Sequence, residues 1–303
     1  MKIVVAGASG FVGAALVPAL RAQGHDVRRL VRRAAVANDE IGWDPANGVI
    51  DLQRGEEVDA VINLAGENVA AGRWTAARRE QILRSRVDAT RTLVGALLKL
   101  VRKPKVFLSA SAVGYYGDRG DEIVTEKSPI GVGLLPEVCL AWETHAEGAA
   151  RHGIRTVLLR FGTILSPEGG ALAKMLPLFR LGLGGRLGSG QQWMSWIARD
   201  DVVQGIFHVL RDTDCGGPVN FAAPAPVTNV DFAATLARVL GRPARLPAPG
   251  FALRLAFGQM ADEALLASTR AVPRRLVEVN YTFRQPELEP ALRAMLSGTV
   301  ARH

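Results

Sequence analysis

Short runs rich in Val, Ile and Leu recur along the first two-thirds of the chain, at residues 2–6, 26–31, 59–64, 105–110 and 155–160. They are continuous rather than alternating, which is the pattern of strands buried on both faces. Between them the period changes. Residues 11–22 close at Gly24, residues 76–100 place Leu83, Val87, Val94 and Leu98 on one stripe, and residues 137–151 close at Gly153. Such stripes, ended by glycine, predict amphipathic helices. Strand and helix in alternation imply βαβ crossovers, so the expected fold is α/β with a doubly wound parallel sheet of the Rossmann kind.

After residue 160 the pattern loosens. Residues 166–170 and the glycine-rich run 182–190 predict loops around one helix, the place for a substrate-contacting insertion. Residues 200–210 and 218–222 predict a helix and a strand that rejoin the sheet, and Thr228 with Asp231 forms a capping box for a helix ending at Gly241. From Pro243 the chain is proline-rich and then helical, best over 259–270 and 287–296. The expected division is a sheet domain over 1–165 and 195–222, with a smaller, mainly helical substrate lobe over 166–194 and 223–303.

Of 303 residues, 48% are apolar and 22% charged, enough to build a large core and too apolar for a disordered chain. No apolar run approaches the ~18 residues that span a bilayer, so no membrane association is expected. Three evenly spaced glycines interrupt the apolar amino terminus, which therefore reads as fold rather than signal peptide. Cys139 and Cys215 form no CxxC, and His25, His145, His152, His208 and His303 are scattered, so neither a disulfide scaffold nor a metal is expected. A cytoplasmic location follows as the default. The net charge of +8 raises nucleic acid as a partner, but the basic residues are dispersed and not interleaved with aromatics. A basic surface with no specific nucleic-acid partner is expected.

The first strand runs into Gly7-Ala8-Ser9-Gly10-Phe11-Val12-Gly13 and then a helix. In that context Gly7 permits the tight turn, Gly10 lets backbone N–H groups approach a pyrophosphate, and Gly13 lets helix and strand pack closely. The second strand ends at Arg32 and Arg33, where an NAD site usually offers a carboxylate to the ribose. Two guanidiniums suit a 2′-phosphate, so NADP(H) is favoured over NAD(H). The third strand ends Asn63-Leu64-Ala65-Gly66-Glu67, small enough to run beneath the cofactor.

These segments, with residues 107–111, 116–118 and 160–167, resemble the extended, sugar-nucleotide-epimerase branch of the short-chain dehydrogenase/reductase superfamily. Residues 109–117, Trp142-Glu143 and 192–197 resemble more narrowly its atypical NAD(P)-dependent, nucleoside-diphosphate-sugar epimerase-like group, as does a carboxyl-terminal domain over 253–296. The resemblance implies that Phe161, Gly162 and Thr163 also face the cofactor. In working members of the superfamily, a Ser, a Tyr and a Lys four residues after the Tyr move a proton while the nicotinamide carries a hydride. Ser111 matches the serine. The Tyr and Lys positions fall on Cys139 and Glu143, so both are missing.

Two readings of Cys139 stay open, a proton carrier or a small core residue, and a nearby carboxylate would raise its pKa. Tyr115 and Tyr116 remain as donors near Ser111, with aromatic packing as their alternative role. Arg186, Trp193 and Trp196 are candidates for gripping a substrate, although at least one tryptophan is expected to be a core anchor. The expected function is an NADP(H)-dependent epimerase, dehydratase or reductase acting on a small polar carbonyl or sugar-nucleotide-type substrate, as a monomer or homodimer. The alternative is a non-catalytic NADP(H)-binding regulator or sensor that has lost the dyad.

Overall fold

The continuous apolar runs lie side by side in one sheet. The structure, a computed structural model, describes residues 1–297; residues 298–303, the end of the expected lobe with His303, lie outside the described residues. The sheet contains β1 (Lys2–Ala6), β2 (Asp26–Val31), β3 (Glu40–Asp44), β4 (Val49–Ile50), β5 (Ala60–Asn63), β6 (Val106–Ala112), β8 (Arg155–Phe161) and β12 (Gly217–Phe221), in the order β12-β8-β6-β5-β1-β2-β3-β4. Every pairing is parallel except β3 with β4. Between β1 and β5 the strand order reverses, the switch point where such sheets place a dinucleotide. Three small ribbons flank the sheet: β7 (Ile123–Val124) with β14 (Arg270–Ala271), β9 (Thr163–Ser166) with β11 (Trp196–Ala198), and β10 (Trp193–Met194) with β13 (Val227–Thr228).

Alternate residues of each strand point to opposite faces, and helices cover both. Ile3, Val5, Ile62 and Leu108 pack beneath Leu16 and Leu20 of α1 (Gly13–Ala22) and Val202 and Ile206 of α5 (Arg199–Arg211). On the other face Val4, Val61 and Phe107 meet Leu93 and Leu97 of α2 (Ala76–Lys99) and Ala146 of α3 (Leu134–Ala150). A further core joins Leu172 and Leu176 of α4 (Gly170–Arg180), Phe232 and Leu236 of α6 (Asn229–Leu240) and Leu292 of α9 (Leu288–Ser297) with Trp196. The Thr228 hydroxyl accepts from the Asp231 N–H and so caps α6, whose end at Gly241 is left-handed.

Several expectations need correction. The helix expected over 259–270 does not form. Instead α7 (Gly250–Phe257) stops at Gly258, whose φ is +61°, a π-type turn spans Ala261–Leu265, and Arg270–Ala271 joins β7 as a strand; α8 (Arg274–Glu278) follows. Tertiary bonds override the local pattern: Glu263 accepts from Leu135 N–H at 2.9 Å, and the Ser268 hydroxyl donates to the Gly120 carbonyl at 2.6 Å. That Glu263 contact also sits at the start of α3, which begins at Leu134 rather than at residue 137. Strands β3 and β4 went unpredicted because they lack a continuous apolar run.

Candidate functional site

The turn from β1 to α1 is built for glycine. Gly7 has φ +75°, and a Cβ there would lie 2.7 Å from the Leu64 carbonyl carbon. A Cβ on Gly13 would lie 2.2 Å from the Gly7 oxygen, so α1 packs on the turn only without a side chain. Gly10 N–H closes the turn on the Gly7 carbonyl at 3.0 Å. The N–H groups of Phe11 and Val12 have no hydrogen-bond partner among the described residues, and α1 has no side-chain cap. Unpaired donors at a helix N-terminus fit a pyrophosphate. Ser9 and Gly10 are exposed beside them. The Phe11 ring packs against Gly169 and Gly170, with the Arg199 guanidinium 5.4 Å above its centre.

At the end of β2 the two arginines differ. Arg33 grips the buried Glu40 carboxylate bidentately at 2.7 and 2.9 Å, and the same carboxylate accepts from Val36 and Ala37 N–H. Arg32 is exposed and makes no hydrogen bond or ion pair among the described residues. Only Arg32 therefore offers its full set of donors outward.

After β5, buried Asn63 donates to the Thr90 hydroxyl at 2.9 Å and accepts from Ala65 N–H at 3.2 Å. The Ser85 hydroxyl accepts from Glu67 N–H, and Arg86 donates to the Glu67 carbonyl. Ser85, Arg86 and Thr90 of α2 thus hold the two ends of the 64–66 segment, at Asn63 and Glu67, a role that spacing along the chain does not reveal. The sequence marks them only as polar residues beside the apolar stripe of the helix. The Glu67 carboxylate pairs with Arg78 at 3.4 Å. Beyond β8, Gly162 donates to Phe221 O and Thr163 to Ser195 O, while the Phe161 ring meets Phe221 edge-on; these contacts turn the chain from β8 into β9.

A buried polar network joins β6, α3, β8 and β12. Ser111 Oγ donates to Glu143 Oε1 at 2.6 Å, and Arg160 binds the same carboxylate bidentately at 2.8 and 2.7 Å. Arg160 also donates to Tyr116 Oη at 3.0 Å, which donates to Asn220 Oδ1 at 2.7 Å. Arg160 lies 3.5 Å from the Tyr115 ring centre. Tyr116 is wholly buried, with its hydroxyl bonded on both sides, and burial pushes its pKa up to about 12. Cys139 is buried with its Sγ 3.7 Å from Ala112 O; burial first, and then the Glu143 carboxylate, push its thiol up to about 11. It is a thiol at neutral pH. Tyr115 is half-buried, and its hydroxyl makes no hydrogen bond among the described residues.

Of the three substrate candidates, Arg186 donates to the carbonyls of Gly188 and Ser189 at 2.7 Å and holds its own loop. Trp196 is wholly buried, its indole N–H bonded to Ala225 O at 3.0 Å, and offers no surface to a ligand. Trp193 is half-buried, donates to Asp121 at 2.9 Å and lies 3.9 Å under the Arg270 guanidinium. Among the described residues, no cluster of His, Cys, Asp and Glu has a metal-binding arrangement, and no helix is long and apolar enough to cross a membrane.

A family model described as the NAD dependent epimerase/dehydratase family matches residues 3–222, and one described as a domain of unknown function, DUF1731, matches residues 248–295. An epimerase family protein of Mycobacterium bovis is 42% identical over 290 residues, covering 96% of each chain. The epimerase family protein YfhF of Bacillus subtilis is 36% identical over 302 residues, covering 98% of each. Among solved structures, human epimerase family protein SDR39U1 crystallised with NADPH matches with a TM-score of 0.89 at 33% identity, covering 98% of this chain and 99% of that one. A nucleoside-diphosphate sugar epimerase from Corynebacterium glutamicum matches with a TM-score of 0.78 at 33% identity, covering 98% of this chain and 58% of that one.

Proposed function

The chain belongs to the NAD dependent epimerase/dehydratase family, and from that premise we propose that it binds NADP(H) and acts on a small polar carbonyl or sugar-nucleotide-type substrate without a tyrosine–lysine dyad. The observation that carries the cofactor reading is the glycine turn with unpaired Phe11 and Val12 N–H groups, followed at the end of β2 by an unpaired Arg32. The human relative crystallised with NADPH supports the same choice. The proposed division is an NADP-binding domain over 1–165 and 195–222 and a substrate lobe over 166–194 and 223–303, with Leu276 and Tyr281 of the lobe packed into the sheet core and Trp196 of the sheet domain packed into the lobe core. A cytoplasmic monomer or homodimer completes the reading.

When bound, the nicotinamide would give or take a hydride. The chain's own work is to hold and to move a proton. Phe11 and Val12 N–H would hold the pyrophosphate, Arg32 the 2′-phosphate, and the backbone of residues 64–66 would run beneath the cofactor. Cys139, a thiol at neutral pH, and Tyr116, bonded on both sides, are poor proton carriers. That leaves the Tyr115 hydroxyl as the acid. Ser111 spends its proton on Glu143 and so would accept a hydrogen bond from a substrate hydroxyl. Glu143, at the dyad's lysine position and closed in a pair with Arg160, favours a second reading, a cofactor-binding sensor, because no ammonium stands there.

The test is to supply the purified protein and NADPH with a panel of carbonyl compounds and sugar nucleotides, following absorbance at 340 nm and, for redox-neutral conversion, proton NMR. Turnover that Tyr115→Phe lowers about a hundredfold is expected. NADPH binding with no conversion of any compound would leave the sensor reading.

A further inference from the structure

Around α2, α3 and β8 the charges do not balance: Glu143 and Arg160 are buried, and Arg86 is half-buried. Glu143 and Arg160 cancel each other in their bidentate pair. Arg86 has no such partner. Its guanidinium donates to the Ile82 and Glu67 carbonyls at 3.0 Å each and lies 5.0 Å from the Trp142 ring centre. Among the described residues no carboxylate lies within 4.0 Å of it. Glu67, an acid whose charge reaches it, is itself paired with Arg78. Burial works against the Arg86 charge and lowers its pKa from the usual arginine value, yet a guanidinium stays protonated at neutral pH. Carbonyl dipoles and an indole face ease that burial without neutralising it.

Its place in the fold gives this charge a use. A Cβ on Gly66, just beyond β5, would approach the Arg86 Cζ to 3.2 Å. Cys139 of α3, whose thiol lies against Ala112 at the end of β6, is within reach of the same charge. In a doubly wound sheet the dinucleotide straddles the switch point. Its adenosine half lies over β1 and β2, and its nicotinamide half over the strands on the other side, here β5 and β6.

We propose that Arg86 is the fixed positive charge of the nicotinamide half of the crevice, and that it makes the site favour the reduced, uncharged nicotinamide over the oxidised, cationic one. The inference rests on the NADP(H) reading above. Repulsion between two unit charges across a partly dehydrated site is worth on the order of tenfold in affinity. Arg86 also pins residues 66–67 to α2, so loss of affinity alone would not separate the two roles. The ratio of the two affinities does, because a purely structural defect weakens both nucleotides alike.

The experiment titrates NADPH and NADP⁺ separately, at one ionic strength, into the full-length protein, Arg86→Lys and Arg86→Gln. The unaltered protein is expected to bind NADPH about tenfold more tightly than NADP⁺, Arg86→Lys to keep most of that ratio, and Arg86→Gln to bring it towards one. If Arg86→Gln weakens both nucleotides equally and keeps the ratio, the residue only pins the loop and the proposal fails. Should Arg86→Gln not fold, the other two proteins still decide. Equal affinities in the unaltered protein, or a ratio lost in Arg86→Lys, which keeps the charge, overturn it. Binding of neither nucleotide would overturn the cofactor reading itself, whereas equal binding of both overturns this inference alone.

Discussion

Replacing Glu143 by Gln removes one charge from a buried pair while keeping the side chain's shape. Arg160 would then remain inside the protein with a neutral amide in place of a bidentate carboxylate, and Ser111 would keep only a weaker acceptor. Stranding one partner of a buried ion pair costs about 3–5 kcal/mol. With an unfolding entropy of about 2.1 cal/mol/K per residue, a chain of 303 residues loses roughly 1.6 °C of Tm per kcal/mol, so the drop should be about 5–8 °C by scanning calorimetry. Arg160→Met should cost a similar amount by stranding Glu143. The double substitution Glu143→Leu with Arg160→Met leaves no unpaired charge, only Ser111 and Tyr116 each short of one partner at about 1 kcal/mol. It should therefore cost no more than either single change. Well below Tm, Glu143→Gln should shift NADPH affinity by less than about twofold, since the carboxylate serves the network. A Tm drop under about 2 °C, or single costs that add to within about 0.5 kcal/mol, would refute the buried-pair reasoning. The same logic bears on restoring the superfamily dyad. Cys139→Tyr with Glu143→Lys sets an ammonium against Arg160 in a buried space, so that pair of changes should fold only with Arg160 removed as well.

The two arginines after β2 should separate in cofactor titrations. Arg32→Ala should cut the preference for NADPH over NADH at least tenfold, about 1.4 kcal/mol, while Arg33→Ala should change it less than about threefold; the reverse order would overturn the assignment of Arg33 to Glu40. Tyr116→Phe should lower stability by about 1–3 kcal/mol in denaturant titration, because Arg160 and Asn220 each lose a buried partner, whereas Tyr115→Phe should stay within about 0.5 kcal/mol and affect only turnover. Alkali should destabilise the fold through Cys139. Its folded pKa, raised from 9.0 to about 11, lets the unfolded chain shed a proton first, so this contribution is intact below pH 9 and is lost as pH rises through 11. Cys139→Ala should flatten that part of the stability–pH curve, and an unchanged slope would count against the buried thiol.

Much of the architecture is legible from local pattern. Continuous Val and Ile runs mark strands covered on both faces, glycine-closed stripes mark the helices between them, and the spacing Gly7, Gly10, Gly13 marks the turn between the first of each, because burial and backbone sterics act over a few residues. Where such signals are weak, as in β3, or are overridden, as in the helical pattern after Gly258, pairing with distant segments decided the outcome. The glycine turn of the candidate site was readable for the same local reason, but not which arginine is free, since that depends on Glu40 in an unpredicted strand. The polar centre was not readable as a unit. Ser111, Glu143, Arg160, Tyr116 and Asn220 come from different elements, and Tyr116 and Asn220 are 104 positions apart. Pairwise spacing along the chain carries no record that a glutamate four residues after a cysteine will meet an arginine one strand away. Only packing α3 against β6 and β8 in the dry interior forces those groups to satisfy one another, while Arg86 has no ion-pair partner among the described residues.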